Sequence, residues 1–350
     1  YWLAGSDENI ANLVRHLAGR YATGPRSAIR RAPTPAMPKH YPDVGLYHPR
    51  LPHRVSDSTE EVLALAPATA TRGTVGLLVM RSYVLANDTD HYDAVIERFE
   101  AKGYRVLPAF AAGLDSREAI SSYLCVDGKR RIDALVSLTG FSLVGGPAFN
   151  DAPAAEEILA ELDVPYVGAQ AIEFQTLEQW SQSTRGLLPV EATIMVAIPE
   201  LDGATQPIVY AGRAASPGPS GTKGAGRPRA MVPIPDRVEA LVDRVTAMVE
   251  LRRPRRAERR IAIVLFNFPP NAGATGTAAF LSVFESLHNI LRRLASEGYT
   301  VEVPETVDDL RAEVLGGNAQ EHGADAHVYT RIPTDDHVCR EPHLTEIERQ

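Results

Sequence analysis

The side chains best able to do chemistry in this 350-residue chain stand just after short apolar runs. Arg81 follows Val75 to Met80, and His91 comes ten residues later beside Asp90. Thr139 follows Asp133 to Leu138, Glu173 and Gln175 follow Val164 to Val167, and Asn267 follows Ile261 to Phe266. In open α/β sheets ligands bind beyond the carboxyl ends of the strands, so these six positions are the candidate cavity-lining residues. His91 suits a proton acceptor or a metal ligand, although a histidine in a first helical turn more often packs or faces solvent. Glu173 is a single carboxylate in a loop and carries the same two readings.

Two further constellations are weaker. The turn Asn267-Phe-Pro-Pro-Asn-Ala-Gly-Ala-Thr-Gly-Thr277 joins a strand-like run to a helical one, and free N–H groups at a helix start favour anions. It lacks the Gly-Lys-Ser/Thr ending of a Walker A loop and does not match G-x-G-x-x-G, so ATP binding by this chain is not expected. His322, His327, Asp335, Asp336, His337, Cys339 and His343 gather near the C-terminus at intervals that fit no zinc site, and no resident metal is expected. Nor does any G-x-S-x-G, H-E-x-x-H or paired C-x-x-C occur.

The elements that must position these residues can be read from hydrophobic period. Between residues 72 and 211, β-rich runs alternate with amphipathic segments. Val75–Met80, Tyr104–Pro108, Asp133–Leu138 and Val164–Val167 read as strands. Helices are expected after Thr89, over Ser116–Leu124 and Asp151–Leu162, and as a turn over Thr176–Trp180. That alternation predicts βαβ units: an α/β fold of Rossmann-like units with mostly parallel sheets, spread over several domains. Residues 1–71 are expected to hold a helix after Ser6, with Ile10, Leu13, Val14 and Leu17 inward, then an irregular connection. Residues 212–235, rich in Gly, Pro and Ser, predict a flexible linker. A second α/β domain is expected over 236–350, truncated at its C-terminal end. It would open on a helix over Asp236–Leu251, continue with a strand over Ile261–Phe266 and a helix over Thr275–Ser296, and add a strand over Tyr299–Val303.

A formal charge of -8 argues against a nucleic-acid partner. Two widely separated cysteines suit a reducing cytoplasm, and no apolar run approaches the ~18 residues of a membrane span. The opening Tyr1-Trp2-Leu3, with a helix starting at once, leads to the expectation of an internal piece of a larger polypeptide.

Several runs resemble the large subunit of magnesium chelatase. The most specific is Asp133-Ala-Leu-Val-Ser-Leu-Thr-Gly-Phe-Ser-Leu-Val-Gly-Gly-Pro147, followed by Leu162-Asp-Val-Pro-Tyr166 and Glu173-Phe-Gln-Thr176 with Trp180. Ala197-Ile-Pro-Glu-Leu-Asp-Gly203, Tyr210-Ala-Gly-Arg213 and Phe266-Asn-Phe-Pro-Pro270 with Gly276-Thr-Ala-Ala-Phe280 continue the match in order. Asp88-Thr-Asp-His-Tyr92 and Pro108-Ala-Phe-Ala-Ala-Gly-Leu-Asp115 are similar to the bacteriochlorophyll branch.

The resemblance implies a porphyrin-binding subunit that takes part in inserting Mg²⁺, the substrate metal, into protoporphyrin IX. It implies two smaller partner subunits of the AAA+ type that hydrolyse ATP. The family's His- and Glu-bearing Gly-Thr-His-Gly stretch is absent from these residues, so the catalytic residues are expected outside them. The alternatives are the related cobaltochelatase large subunit of cobalamin synthesis and a tetrapyrrole carrier without turnover.

Overall fold

A computed structural model describes residues 1–31, 34–146, 149–215, 230–266, 275–276, 278, 280–316, 332–341 and 343–344. It divides into two compact units, Tyr1–Glu250 and Leu251–Gln350.

The first unit is built on an eight-stranded sheet. Its strands are β1 (Val44–Tyr47), β2 (Val55–Ser56), β3 (Thr74–Leu78), β4 (Arg105–Ala111), β5 (Ala134–Ser137), β6 (Tyr166–Thr176), β7 (Thr205–Arg213) and β8 (Met231–Pro233). Their spatial order is β8-β7-β6-β5-β3-β4-β1-β2. The five strands from β4 to β7 are parallel, and β1, β2 and β8 are antiparallel additions at the margins. The chain leaves β3 for β4 on one side and returns to β5 on the other. The topological switch point therefore lies at the carboxyl ends of β3 and β5, where the sheet opens a crevice.

The alternation of side chains along β3 and β4 divides the core into two layers. Val75, Leu77 and Val106 face the helices Asp90–Ala101 and Pro235–Leu251, which contribute Ile96, Phe99, Leu241 and Val245. Leu78, Leu107 and Ala109 face the opposite layer, with Val62, Ile120, Leu124, Ala155 and Leu162. Each fully buried side chain of this size contributes about 1.5–3 kcal/mol of transfer free energy. Gly76 sits where a Cβ would come within 2.9 Å of Ile132 and 3.1 Å of Leu124, so its lack of a side chain sets how closely that layer packs on β3.

The fold departs from expectation in several places. Residues 1–71 are not only helix and connection, because β1 pairs with β4 and extends the main sheet. The helix Asp7–Tyr21 forms with Ser6 as its cap, but it is rotated from the expected stripe: Asn9 and Asn12 are buried, Ile10 and Leu13 are half-buried, and Val14 and Leu17 are exposed. Asn9 explains the orientation, since its side chain donates to Lys39 O at 2.7 Å and accepts from Lys39 N at 2.9 Å. The helix Pro235–Leu251 packs on the first sheet rather than opening a separate unit. Val238, Leu241, Val242, Val245 and Val249 lie in that core, and Lys102 pairs with Asp243 at 2.5 Å. Of the expected linker, residues 216–229 lie outside the described residues.

The second unit contains the helices Val283–Ser296, Val307–Gly316 and Thr334–Arg340 among its described residues. The first of these starts later than the expected Thr275. Neither Ile261–Phe266 nor Tyr299–Val303 forms a strand, because neither joins a β-ladder with any described residue. Among the described residues no helix is long and apolar enough to cross a membrane.

Candidate functional site

The carboxyl edge of the parallel sheet carries a cavity of about 500 Å³. Met80, Arg81, Ser82 and Leu85 form its floor after β3, and Ala111 to Leu114 form one wall after β4. Gly5, Ser6, Asp7 and Ile10 close the other wall from the start of the N-terminal helix. A narrower cleft shares Met80, Ala111, Gly113 and Leu114 and runs to Thr139, Phe141 and Ser142 beyond β5. The two together follow the switch point, and their lining is mainly apolar with a few polar groups, as small-molecule sites require.

Arg81 is held at the cavity by backbone carbonyls. Its Nε donates to Pro42 O at 2.8 Å and its Nη2 to Tyr41 O at 3.1 Å, with Asp43 at 3.7 Å. Thr139 closes the cleft, its hydroxyl 2.9 Å from Ser137 Oγ and accepting the Phe141 N–H at 3.3 Å. Gly140 turns the chain there with φ of 71°, a conformation that favours glycine, and Met195 packs against the spot where a Cβ would stand. The loop is fastened from beneath. Asp202, buried, accepts from Leu143 N and from Asn150 Nδ2, each at 2.7 Å, and Asn150 also donates to Ser142 Oγ at 2.8 Å.

Glu173 stands further along the same edge, at the end of β6. It accepts a short hydrogen bond from the Tyr83 hydroxyl, and Arg213 lies 4.0 Å from its second oxygen. Arg213 also donates to Tyr83 Oη at 3.0 Å and pairs with Asp88 at 3.6 Å. Burial, and then the hydrogen bond to Glu173, push the Tyr83 phenol above its ordinary range, which keeps it a proton donor to the carboxylate.

His91 and Gln175 do not line the cavity. His91 is fully buried, edge-on to Tyr83 with ring centroids 5.3 Å apart and 3.9 Å from the Tyr92 ring. Neither ring nitrogen has a hydrogen-bond partner among the described residues. Burial, and then the charge of Arg213, lower its pKa to about 3, so the ring is neutral. Gln175 is turned inward and donates to Glu191 Oε2 at 2.5 Å, which fixes the segment after β6. Asn267, His322 and His327 lie outside the described residues. No group of three metal-ligating side chains occurs among the described residues, including Asp335, Asp336, His337, Cys339 and His343.

The structure thus places Arg81 at the cavity and Thr139 at the small cleft that shares four lining residues with it, and leaves Glu173 on the neighbouring strand end. The far wall, Gly5 to Ile10, was not among the sequence candidates. Nothing in local spacing marks residues some 70 positions upstream as neighbours of β3. Asp202 was also missed, because a turn aspartate reads as solvent-facing until the loop that folds over it is known.

A doubly wound sheet with a mainly apolar cavity at its carboxyl edge defines an α/β unit with a candidate ligand site at its strand ends. The chain belongs to the CobN/Magnesium Chelatase family, whose model matches residues 1–350. It is 51% identical to the magnesium-chelatase H subunit of Cereibacter sphaeroides, covering 100% of this chain and 29% of that protein. It is 39% identical to the chloroplastic magnesium-chelatase subunit ChlH of Oryza sativa subsp. japonica, over 90% of this chain and 22% of that protein. The chain therefore spans less than a third of the length of these relatives. Among solved structures, the catalytic subunit of cobaltochelatase from Mycobacterium tuberculosis matches with a TM-score of 0.61 at 21% identity. That match covers 91% of this chain and 25% of the other, and it shows the shared fold.

Proposed function

We propose that this chain is part of the large, porphyrin-handling subunit of an ATP-dependent magnesium chelatase, the enzyme that inserts Mg²⁺ into protoporphyrin IX for (bacterio)chlorophyll synthesis. The observation that carries the reading is the 51% identity to a magnesium-chelatase large subunit, sustained over every residue of the chain. The 29% identity to the aerobic cobaltochelatase subunit CobN of Sinorhizobium sp makes the cobalt reading the more distant one.

The strand-end cavity supports a part in holding the macrocycle. Its apolar wall suits a flat hydrocarbon ring, and Arg81 at its floor suits the ring's carboxylate edge. Metal insertion requires two pyrrole N–H protons to leave, and Mg²⁺ surrenders its water shell reluctantly. Holding the ring away from bulk water while a base elsewhere accepts those protons is the contribution these residues can make. Glu173 lines neither the cavity nor the cleft, and Tyr83 and Arg213 hold it in place at the end of β6. We place the proton-accepting groups, and the ATP hydrolysis by two AAA+ partner subunits, outside this chain. The setting we propose is the cytoplasm, whose reducing conditions suit the free thiols of Cys125 and Cys339.

Reconstitution tests the reading. The chain, expressed at the length of its large-subunit relatives and mixed with the two partner subunits, ATP, Mg²⁺ and protoporphyrin IX, should form Mg-protoporphyrin, seen by its fluorescence emission. Turnover only with Co²⁺ and a hydrogenobyrinate would select the cobaltochelatase reading. Porphyrin binding indifferent to ATP, Mg²⁺ and partners would select the carrier.

A further inference from the structure

The run Ile261-Ala-Ile-Val-Leu-Phe266 has the composition of a strand buried on both faces: six apolar residues, three of them β-branched. The structure shows it extended and outside every ladder among the described residues; its last carbonyl, Phe266 O, accepts the Gly276 N–H at 2.8 Å. One face is open and the other partly covered, since Leu265, on the side of Ile261 and Ile263, is half-buried. Ile261 and Ile263 on one side are 51% and 44% exposed, and Val264 and Phe266 on the other are 92% and 66% exposed. A second extended stretch, 299–303, starts beside it, where Thr300 Oγ1 donates to Ala257 O at 2.8 Å and Arg259 Nη1 lies 3.3 Å from Tyr299 Oη. That stretch joins no ladder among the described residues either. The helix Val283–Ser296 between them leaves Ile290 exposed. Extended segment, helix and extended segment thus follow one another as in a βαβ unit, without the hydrogen-bonded sheet that such a unit needs.

An apolar segment outside any ladder of the described residues, with most of its side chains wet, is a template for strand addition, and a stable protein covers it. The Cereibacter sphaeroides relative aligns to this chain over only 29% of its own length, so a polypeptide of that size has ample chain to supply the cover. We propose that residues 261–265 are a docking strand that pairs with an apolar β-strand from the part of such a longer polypeptide outside these 350 residues, giving the second unit the ladder that its described residues lack. The partner is an uncharged, β-branched strand of about five residues, because a charged one would bury its charge against Ile263 and Val264. This inference does not depend on the porphyrin reading.

Hydrogen–deuterium exchange followed by peptide mass analysis tests it, in the 350-residue chain and in the chain expressed at the length of its relatives. The amides of 261–265 should exchange rapidly in the short chain and about 100-fold more slowly in the long one. In the long chain, Val264→Pro removes a ladder donor and should restore rapid exchange across 261–265 while Thr74–Leu78 stay protected; Val264→Thr should keep the protection. Equal exchange in the two lengths would overturn the proposal. So would protection already present in the short chain, which in a monomer means an internal partner and in a dimer a second copy. A Val264→Pro variant that kept its protection would do the same.

Discussion

The Asp202 carboxylate accepts the backbone N–H of Leu143 at 2.7 Å, across 59 residues of chain, and so ties the turn after Pro199 to the loop that rims the cleft. Its other oxygen takes Asn150 Nδ2 at the same distance. A buried carboxylate with two donors is far costlier to break than to keep, because truncation strands both donors. Asp202→Ala is therefore expected to destabilise the first unit by about 2 kcal/mol, read as a lower urea midpoint with the slope unchanged. Faster amide exchange should be confined to 139–150. An unaltered midpoint would show that the loop is held by other contacts.

The buried His91 makes stability depend on pH in a defined direction. Its pKa is lowered in the folded state to about 3, whereas an unfolded histidine titrates near 6.5. Between those values the unfolded chain holds a proton that the folded chain does not, so stability falls as pH falls. The contribution is fully present above the unfolded pKa, and the slope below it is about 1.4 kcal/mol per pH unit for this one group. His91→Phe should flatten the decline in Tm between pH 6.5 and 5 relative to the parent chain. Parallel curves for the two proteins would contradict the assignment.

Tyr83 and Glu173 come from a short helix after β3 and from the end of β6, and their hydrogen bond joins the two. Tyr83→Phe removes the donor while leaving Arg213 its pairing with Asp88. A loss of about 1 kcal/mol is expected. A double-mutant cycle with Glu173→Gln should return a coupling of at least about 0.5 kcal/mol. Strict additivity would show that the pair contributes nothing to the fold.

How much of this was legible beforehand differs from element to element. The apolar runs around Val75, Val106, Leu135 and Val167 announced the parallel strands, because a strand covered on both faces has to be apolar throughout. Strand β6 runs on to Thr176, well beyond the expected Val167, since Glu173 and Gln175 lie at its polar end, where periodicity is silent. The helix Asp7–Tyr21 lies rotated from its expected stripe, with Ile10 and Leu13 half-buried but Val14 and Leu17 outward, because a hydrophobic stripe does not foresee that Asn9 will replace a backbone partner for Lys39. Residues 261–266 were expected as a buried strand from their composition, yet they join no ladder among the described residues.

The candidate site divides the same way. Arg81 reaches the cavity and Thr139 the adjoining cleft because both directly follow strands flanking the switch point. His91 faces the core instead, since its place in the first turn of Asp90–Ala101 points it at Tyr83 and Tyr210. No sequence rule separates those two orientations for a histidine beside an aspartate.

Whether the cavity between Met80, Ala112 and Ile10 meets the macrocycle decides most directly between a porphyrin-holding unit and a bystander. Protoporphyrin IX titrated into the protein at the length of its relatives, followed by quenching of intrinsic fluorescence, measures this for the parent and for Ala112→Trp, which fills the cavity. A porphyrin-holding cavity predicts at least ~10-fold weaker binding for the variant, a difference of about 1.4 kcal/mol, with the thermal midpoint preserved. Undiminished affinity in a folded Ala112→Trp protein would contradict it.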